Sequence, residues 1–161
     1  MTRIVAALLL AALTALPALA KDKEPYVWEK IQTVDLTQRE IITYSNAYIA
    51  EKFGSGKEVV ELNDPDLGKL VGTVILMNED AKLLHAFHGI RGRLIIDAKD
   101  GRIRIQMHNI VATDSKGVKA AWGEIESANR YRIEPMAVKV LDKFATDLQT
   151  YLANARANSD W

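Results

Sequence analysis

The chain contains no cysteine. That excludes disulfides, a cysteine nucleophile and the lipidated cysteine of a bacterial lipoprotein, so the fold must rest on its apolar core. It has no excess of charge of either sign, with 21 basic and 21 acidic side chains. A balanced chain lacks the basic surface that displaces counterions from nucleic acid, which argues against general nucleic-acid binding. It has no internal repeat, no low-complexity tract and no linker rich in proline, glycine or serine. Nor does it have an apolar run of the roughly 18 or more residues that a spanning helix needs.

The longest apolar run, Ile4 to Leu16, lies at the start, behind Thr2 and Arg3. Pro17 breaks it, and Ala18-Leu19-Ala20 supplies the small-x-small pattern cut by signal peptidase. The charged stretch Lys21-Asp22-Lys23-Glu24 follows at once. This reads as a cleaved signal peptide over residues 1–20, with residues 21–161 as one domain in the periplasm or secreted beyond it. Loss of Arg3 with the leader leaves 20 basic against 21 acidic groups, a net charge of −1. ATP and nicotinamide cofactors are not at hand in that compartment, and no cofactor is assigned.

Residues 26–36 read as a first strand. Thr37-Gln38-Arg39-Glu40 then has the spacing of a capping box, in which the Thr37 hydroxyl accepts from the Glu40 N–H and the Glu40 carboxylate from the Thr37 N–H. The helix it opens runs to about Phe53, with Ile41, Ile42, Ser45, Tyr48, Ile49 and Phe53 on one stripe. Gly54 and Gly56 stop it. Lys57 to Leu62 reads as a short strand, Asn63-Asp64-Pro65-Asp66 as a turn, and Lys69 to Met77, apolar on both sides apart from Thr73, as a central strand. Asn78-Glu79-Asp80 turns the chain again.

The clearest local signal is Lys99-Asp100-Gly101-Arg102, set between two apolar-periodic runs in residues 89–111. Asp-Gly predicts a type I′ turn, with positive φ at both central residues. A two-residue turn fixes the register: Lys99 opposite Arg102, Ala98 opposite Ile103, Asp97 opposite Arg104. Leu94, Ile96, Ala98, Ile103, Ile105 and Met107 then share a core face. Asp97, Arg104, Ile95, Gln106, Arg93 and His108 share a polar one.

Residues 112–133 carry less signal. Thr113 to Gly117 reads as a loop, and Lys119 to Trp122 and Arg130 to Ile133 each as short strand or irregular chain. Pro135 predicts the first position of a last helix, where a missing N–H is harmless. Val138, Leu141, Phe144, Ala145, Leu148 and Leu152 form its apolar stripe, opposite Lys139, Asp142, Lys143, Thr146 and Thr150, with fraying beyond Ala155. The order is strand, helix, three to five strands, helix. The economical packing is α+β, with both helices on one face of an antiparallel sheet.

An exported chain of this order, with Lys99-Asp100-Gly101-Arg102-Ile103-Arg104 at its hairpin, resembles a bacterial family of unknown function with a TBP-like fold (DUF4468). The matching pieces are the capped helix from Thr37, the strand Lys69 to Met77 and the hairpin Leu94 to Ile110. The resemblance implies a curved antiparallel sheet backed by two helices, and no assigned activity.

Catalytic signatures are sparse. There is no Gly-x-Ser-x-Gly, and no catalytic residue is assigned. Gly54-Ser55-Gly56-Lys57 follows a helix rather than a strand, so a helix cap is favoured over a phosphate loop. His85 and His88 would share one face of a helix but opposite faces of a strand, and lack the His-Glu-x-x-His pattern of zinc peptidases. With His108 they define an alternative reading, a metal-dependent hydrolase. Trp28 and Trp122 read as core or rim residues, and Trp161 as a tail residue without a role. The strongest candidate is the polar face of the hairpin. Arg93, Arg104, Gln106 and His108, with Arg91 beyond them, concentrate donors there for an envelope protein or an anionic or polar ligand. The leading expectation is a non-enzymatic binding module of the cell envelope.

Overall fold

The computed structural model describes residues 25–53, 60–78, 88–126 and 130–159. Within them lie β1 (Trp28–Thr33), α1 (Gln38–Phe53), β2 (Val60–Asp64), β3 (Lys69–Met77), β4 (Gly89–Lys99), β5 (Arg102–Thr113), β6 (Lys119–Glu124) and α2 (Arg130–Ser159). The strands form one antiparallel sheet in the order β1-β5-β4-β3-β2, with β6 also pairing with β5. Both helices cover the same face of this curved, unclosed sheet, an α+β architecture. The predicted leader, Gly54 and Gly56, residues 57–59, Glu79, Asp80 and His85 lie outside the described residues.

The β4–β5 hairpin has the predicted register. Lys99 faces Arg102, Ala98 faces Ile103, Asp97 faces Arg104, and the pairing continues to Arg93 opposite His108. Leu94, Ile96, Ile103, Ile105 and Met107 are fully buried beneath the helices. Each such aliphatic side chain contributes about 1.5–3 kcal/mol. Beyond Arg93 the ladder shifts, so that Arg91 faces Val111. Asn109 takes φ 51° and supplies the extra residue of a β-bulge. The inward parity of β5 therefore changes from Met107 to Ile110 and Ala112, both fully buried. Gly92 sits opposite this irregularity, where a Cβ would lie 2.8 Å from the His108 carbonyl oxygen.

The turn departs from type I′. Positive φ falls on Gly101 alone (77°) and not on Asp100, as in a type II turn. The difference follows from what the turn holds. The Val34 N–H donates to the Gly101 carbonyl (3.1 Å), and the Gly101 N–H donates to the Leu36 carbonyl (3.0 Å). Asp100 Oδ1 accepts from the Gln38 N–H (2.7 Å), at the first position of α1. These bonds also explain why the first strand is shorter than predicted. Thr33 pairs with Arg102, the first residue of β5, and the chain from Val34 onward bonds to the hairpin tip instead.

α1 begins with the predicted capping box. Glu40 Oε2 accepts from the Thr37 N–H (2.8 Å) and from its hydroxyl (2.7 Å), and the Glu40 N–H reaches Thr37 Oγ1 at 3.4 Å. Ile41, Ile42, Ser45, Tyr48 and Ile49 are buried as expected, and Phe53 is half-buried. Tyr48 packs against Phe144 and Tyr151 of α2, with ring centroids 5.8 and 5.2 Å apart.

α2 differs from expectation at both ends. It starts at Arg130, so Pro135 lies inside the helix, and it continues to Ser159 rather than fraying after Ala155. Pro135 forfeits one hydrogen bond, to the Tyr131 carbonyl. The turn before it is held by fully buried Ile133, by an Arg130–Glu134 ion pair (2.7 Å) and by Arg130 over the Tyr26 ring (4.8 Å). Ala137 and Val140 join the buried stripe, while Val138 is only half-buried. Two further corrections concern the strands. β2 continues through Asn63 and Asp64, whose carboxylate caps the following turn by accepting from the Asp66 and Leu67 N–H groups. Among the described residues β2 flanks β3 as far as Gly72, and Ile75 and Met77 are partly exposed rather than buried on both sides.

The cap at the hairpin tip makes the first prediction. Asp100→Ala should cost about 1 kcal/mol and lower Tm by about 4 °C. Lys99→Ala, one residue away, should stay within about 0.5 kcal/mol of wild type. Thermal melts followed by circular dichroism measure both. The ion pairs within α2 and between it and α1 make a second. Burial raises the Asp147 carboxyl, but hydrogen bonds from Lys143 and Lys52 outweigh it and hold the group below its ordinary value of 3.8. The Arg130 guanidinium holds Glu134 below 4.5. These contributions are complete above the ordinary carboxyl values and are lost as pH falls through the depressed ones. Tm should therefore be flat from about pH 5 to about pH 9 and fall progressively below pH 3.8, with a shallower acid fall in Asp147→Asn.

Candidate functional site

With both helices on one face, the other face of the sheet is left uncovered by them. The alternation of each strand decides what it displays. β5 presents Arg104, Gln106 and His108, β4 presents Arg93, Ile95 and Asp97, and β3 presents Thr73. β1 runs against its own hydropathy. Lys30 and Gln32 turn toward α2, where Lys30 pairs with Asp142 (2.9 Å) and Gln32 Nε2 donates to Gln149 Oε1 (3.1 Å). Glu29 and Ile31 turn outward, and Ile31 is 51% exposed.

The charges on this face form two linked sets. In the first, Arg104 donates to Asp97 Oδ2 through Nη2 (2.7 Å) and Nε (3.2 Å), and Lys69 meets the other Asp97 oxygen at 3.5 Å. Glu29 stands 4.0 Å from the Arg104 guanidinium and accepts from Gln106 Nε2 at 2.7 Å. In the second, Arg93 pairs with Glu61 (2.9 Å), which also accepts from the Thr73 hydroxyl (3.1 Å). The hydrogen bond and charge of Asp97 push the Arg104 guanidinium above its ordinary pKa. Exposed pairs of this kind contribute about 0–1 kcal/mol each, so the core holds the sheet while the pairs orient the side chains.

All four predicted ligand residues, Arg93, Arg104, Gln106 and His108, thus lie on one face, and Arg93 and His108 are directly paired. Three of them are already engaged by Glu61, Asp97 and Glu29. Glu61 and Glu29 were not among the predicted site residues, because nothing local to the hairpin tells which strands flank it. The site residues missed by sequence reasoning are at the tip. Lys99 and Arg102 face each other there, and neither side chain has an ion-pair or hydrogen-bond partner among the described residues. A depression of about 390 Å³ opens beside them, bounded by Ile31 of β1 and by Leu67 of the β2–β3 turn. The adjacency of Lys99 and Arg102 across the turn was legible, but the approach of Leu67 was not.

Of the three histidines, His85 lies outside the described residues, His88 stands just ahead of β4 and His108 lies on β5 opposite Arg93. His108 Nε2 is sheltered and has no hydrogen-bond partner among the described residues. The His88 N–H donates to the Thr113 carbonyl (2.8 Å) just ahead of β4, and its carbonyl accepts from the Asn78 N–H (2.7 Å). Among the described residues no three His, Asp or Glu side chains are placed to hold a metal ion. Trp28 is buried opposite Met107, as expected for a core residue. Trp122 lies on β6, and Trp161 lies outside the described residues. No described helix is long and apolar enough to cross a membrane.

Two solved structures share this architecture. A TBP-like protein from Parabacteroides distasonis ATCC 8503 superposes with a TM-score of 0.54 at 15% identity, covering 80% of this chain and 92% of its own. A DUF4468 family protein from Bacteroides ovatus ATCC 8483 gives 0.53 at 14% identity, covering 81% and 85%. At that identity the likeness shows the fold alone. No curated protein matches the sequence. The family described as "Domain of unknown function (DUF4468) with TBP-like fold" matches residues 28–113, from the start of β1 to the end of β5. That span holds α1 and the whole hairpin with its docked tip, and by it the chain belongs to the DUF4468 family.

Proposed function

We propose that this protein is a non-enzymatic binding module of the cell envelope, exported by its first twenty residues, which meets its partner with the uncovered face of the sheet. One observation carries the reading. Arg93, Arg104 and Gln106 are held on a face that the helices leave open, each by a carboxylate from another strand. Such a face is pre-organised, so a partner loses little side-chain entropy in binding it. The leader motif, Ile4 to Ala20, supports action outside the cytosol.

Site-specific photo-crosslinking in the producing cell tests this. A benzophenone side chain in place of Gln106, on the open face, should give a discrete adduct on mature protein beginning at Lys21. The same group in place of Lys139, on the exposed side of α2, should give none. Adducts from the Lys139 position alone, or mature protein retained in the cytosol with its leader intact, would contradict the proposal.

A further inference from the structure

The outward turn of Ile31 is unexpected on physical grounds. β1 directs a lysine and a glutamine toward α2 and leaves its isoleucine 51% exposed. Across the depression at the hairpin tip, Leu67 is 71% exposed. Between these two apolar edges lie Asp97, Lys99, Arg102 and Arg104. Arg104 is satisfied by Asp97, whereas Lys99 and Arg102 have no partner among the described residues. The depression therefore offers two free cations between two uncovered aliphatic side chains. Its surroundings interleave acids with bases, Glu29 and Asp97 on the strands and Asp66 paired with Arg39 at the turn. Interleaved charges cancel at a distance of a Debye length, roughly 8–10 Å, so this surface cannot draw in an extended anionic bilayer. It can recognise a discrete carboxylate at contact, where a guanidinium offers a two-pronged fit.

From this complementarity we infer that the depression at the hairpin tip binds an acidic peptide segment, its carboxylates on Lys99 and Arg102 and an apolar side chain between Ile31 and Leu67. The inference rests on the open-face reading and names the chemistry of the partner. About 390 Å³ is room for two or three side chains, as expected for a short segment rather than a whole domain surface.

The test is a titration of the ¹⁵N-labelled protein, followed by amide chemical shifts, with the peptide Ac-ELELE-NH₂ and its neutral counterpart Ac-QLQLQ-NH₂. The acidic peptide should shift the amides of Ile31, Leu67, Lys99 and Arg102 saturably, and the neutral one should bind at least tenfold more weakly. The double substitution Lys99→Ala/Arg102→Ala should weaken the acidic peptide at least tenfold, and Ile31→Ser severalfold, with the rest of each spectrum unchanged. Four results would overturn the inference: no shift at millimolar peptide, equal affinity for the two peptides, indifference to the double substitution, or shifts elsewhere on the molecule. Shifts produced only by phosphatidylglycerol vesicles, or only by raising the protein concentration, would assign the surface to a membrane or to a second copy and also overturn it. A crosslink from the Gln106 position that persists when the peptide fails would spare the open-face proposal, and peptide binding without that crosslink would do the reverse.

Discussion

Three hydrogen bonds at the tip of one hairpin set the arrangement of the whole domain. Gly101 bonds to Val34 and Leu36 through its two backbone groups, and the Asp100 carboxylate receives the first N–H of α1. The turn therefore has two roles. It sets the β4–β5 register, which decides which side chains enter the core. It also fixes where the chain leaves β1 and turns back as α1, so the helix starts at the end of the sheet and lies on the apolar face. The absence of positive φ at Asp100 follows from the second role, since its side chain must point at the Gln38 N–H.

The open face is a consequence of that arrangement. Once α1 and α2 occupy one side, the alternating residues on the other must satisfy one another or water. Glu61, Asp97 and Glu29 each come from a different strand to meet Arg93, Arg104 and Gln106. These exposed pairs are too weak to account for stability, where several fully buried isoleucines each outweigh them. Their contribution is order: they hold long polar side chains in place on a surface that neither α1 nor α2 covers.

Much of this was legible in the sequence because short-range chemistry dictated it. The capping box at Thr37 and the two-residue turn at Asp100-Gly101 each act over a few residues, and both gave the correct element and register. The failures share a cause, in that the deciding partner lay far away in the chain. Pro135 is tolerated inside α2 because buried Ile133 and the Arg130 contacts to Glu134 and Tyr26 hold the turn before it. The parity change at Asn109 shows only in the jump from Met107 to Ile110, and depends on room opposite at Gly92. On the candidate site, local periodicity put Arg93, Arg104, Gln106 and His108 on one face. It could not supply the carboxylates that neutralise three of them, nor the apolar edges that make the hairpin tip the more distinctive surface.

The central claim is that the hairpin tip and the β1–α1 connection form one cooperative unit. Native-state hydrogen exchange addresses it directly, because the claim assigns specific amides to specific acceptors. The Val34, Gln38 and Gly101 amides should exchange only by global unfolding, as slowly as those of Ile96 and Ile105 in the hairpin core. Fast, loop-like exchange at Val34 and Gly101, with the hairpin amides still protected, would show that the tip does not hold α1 and would contradict the account.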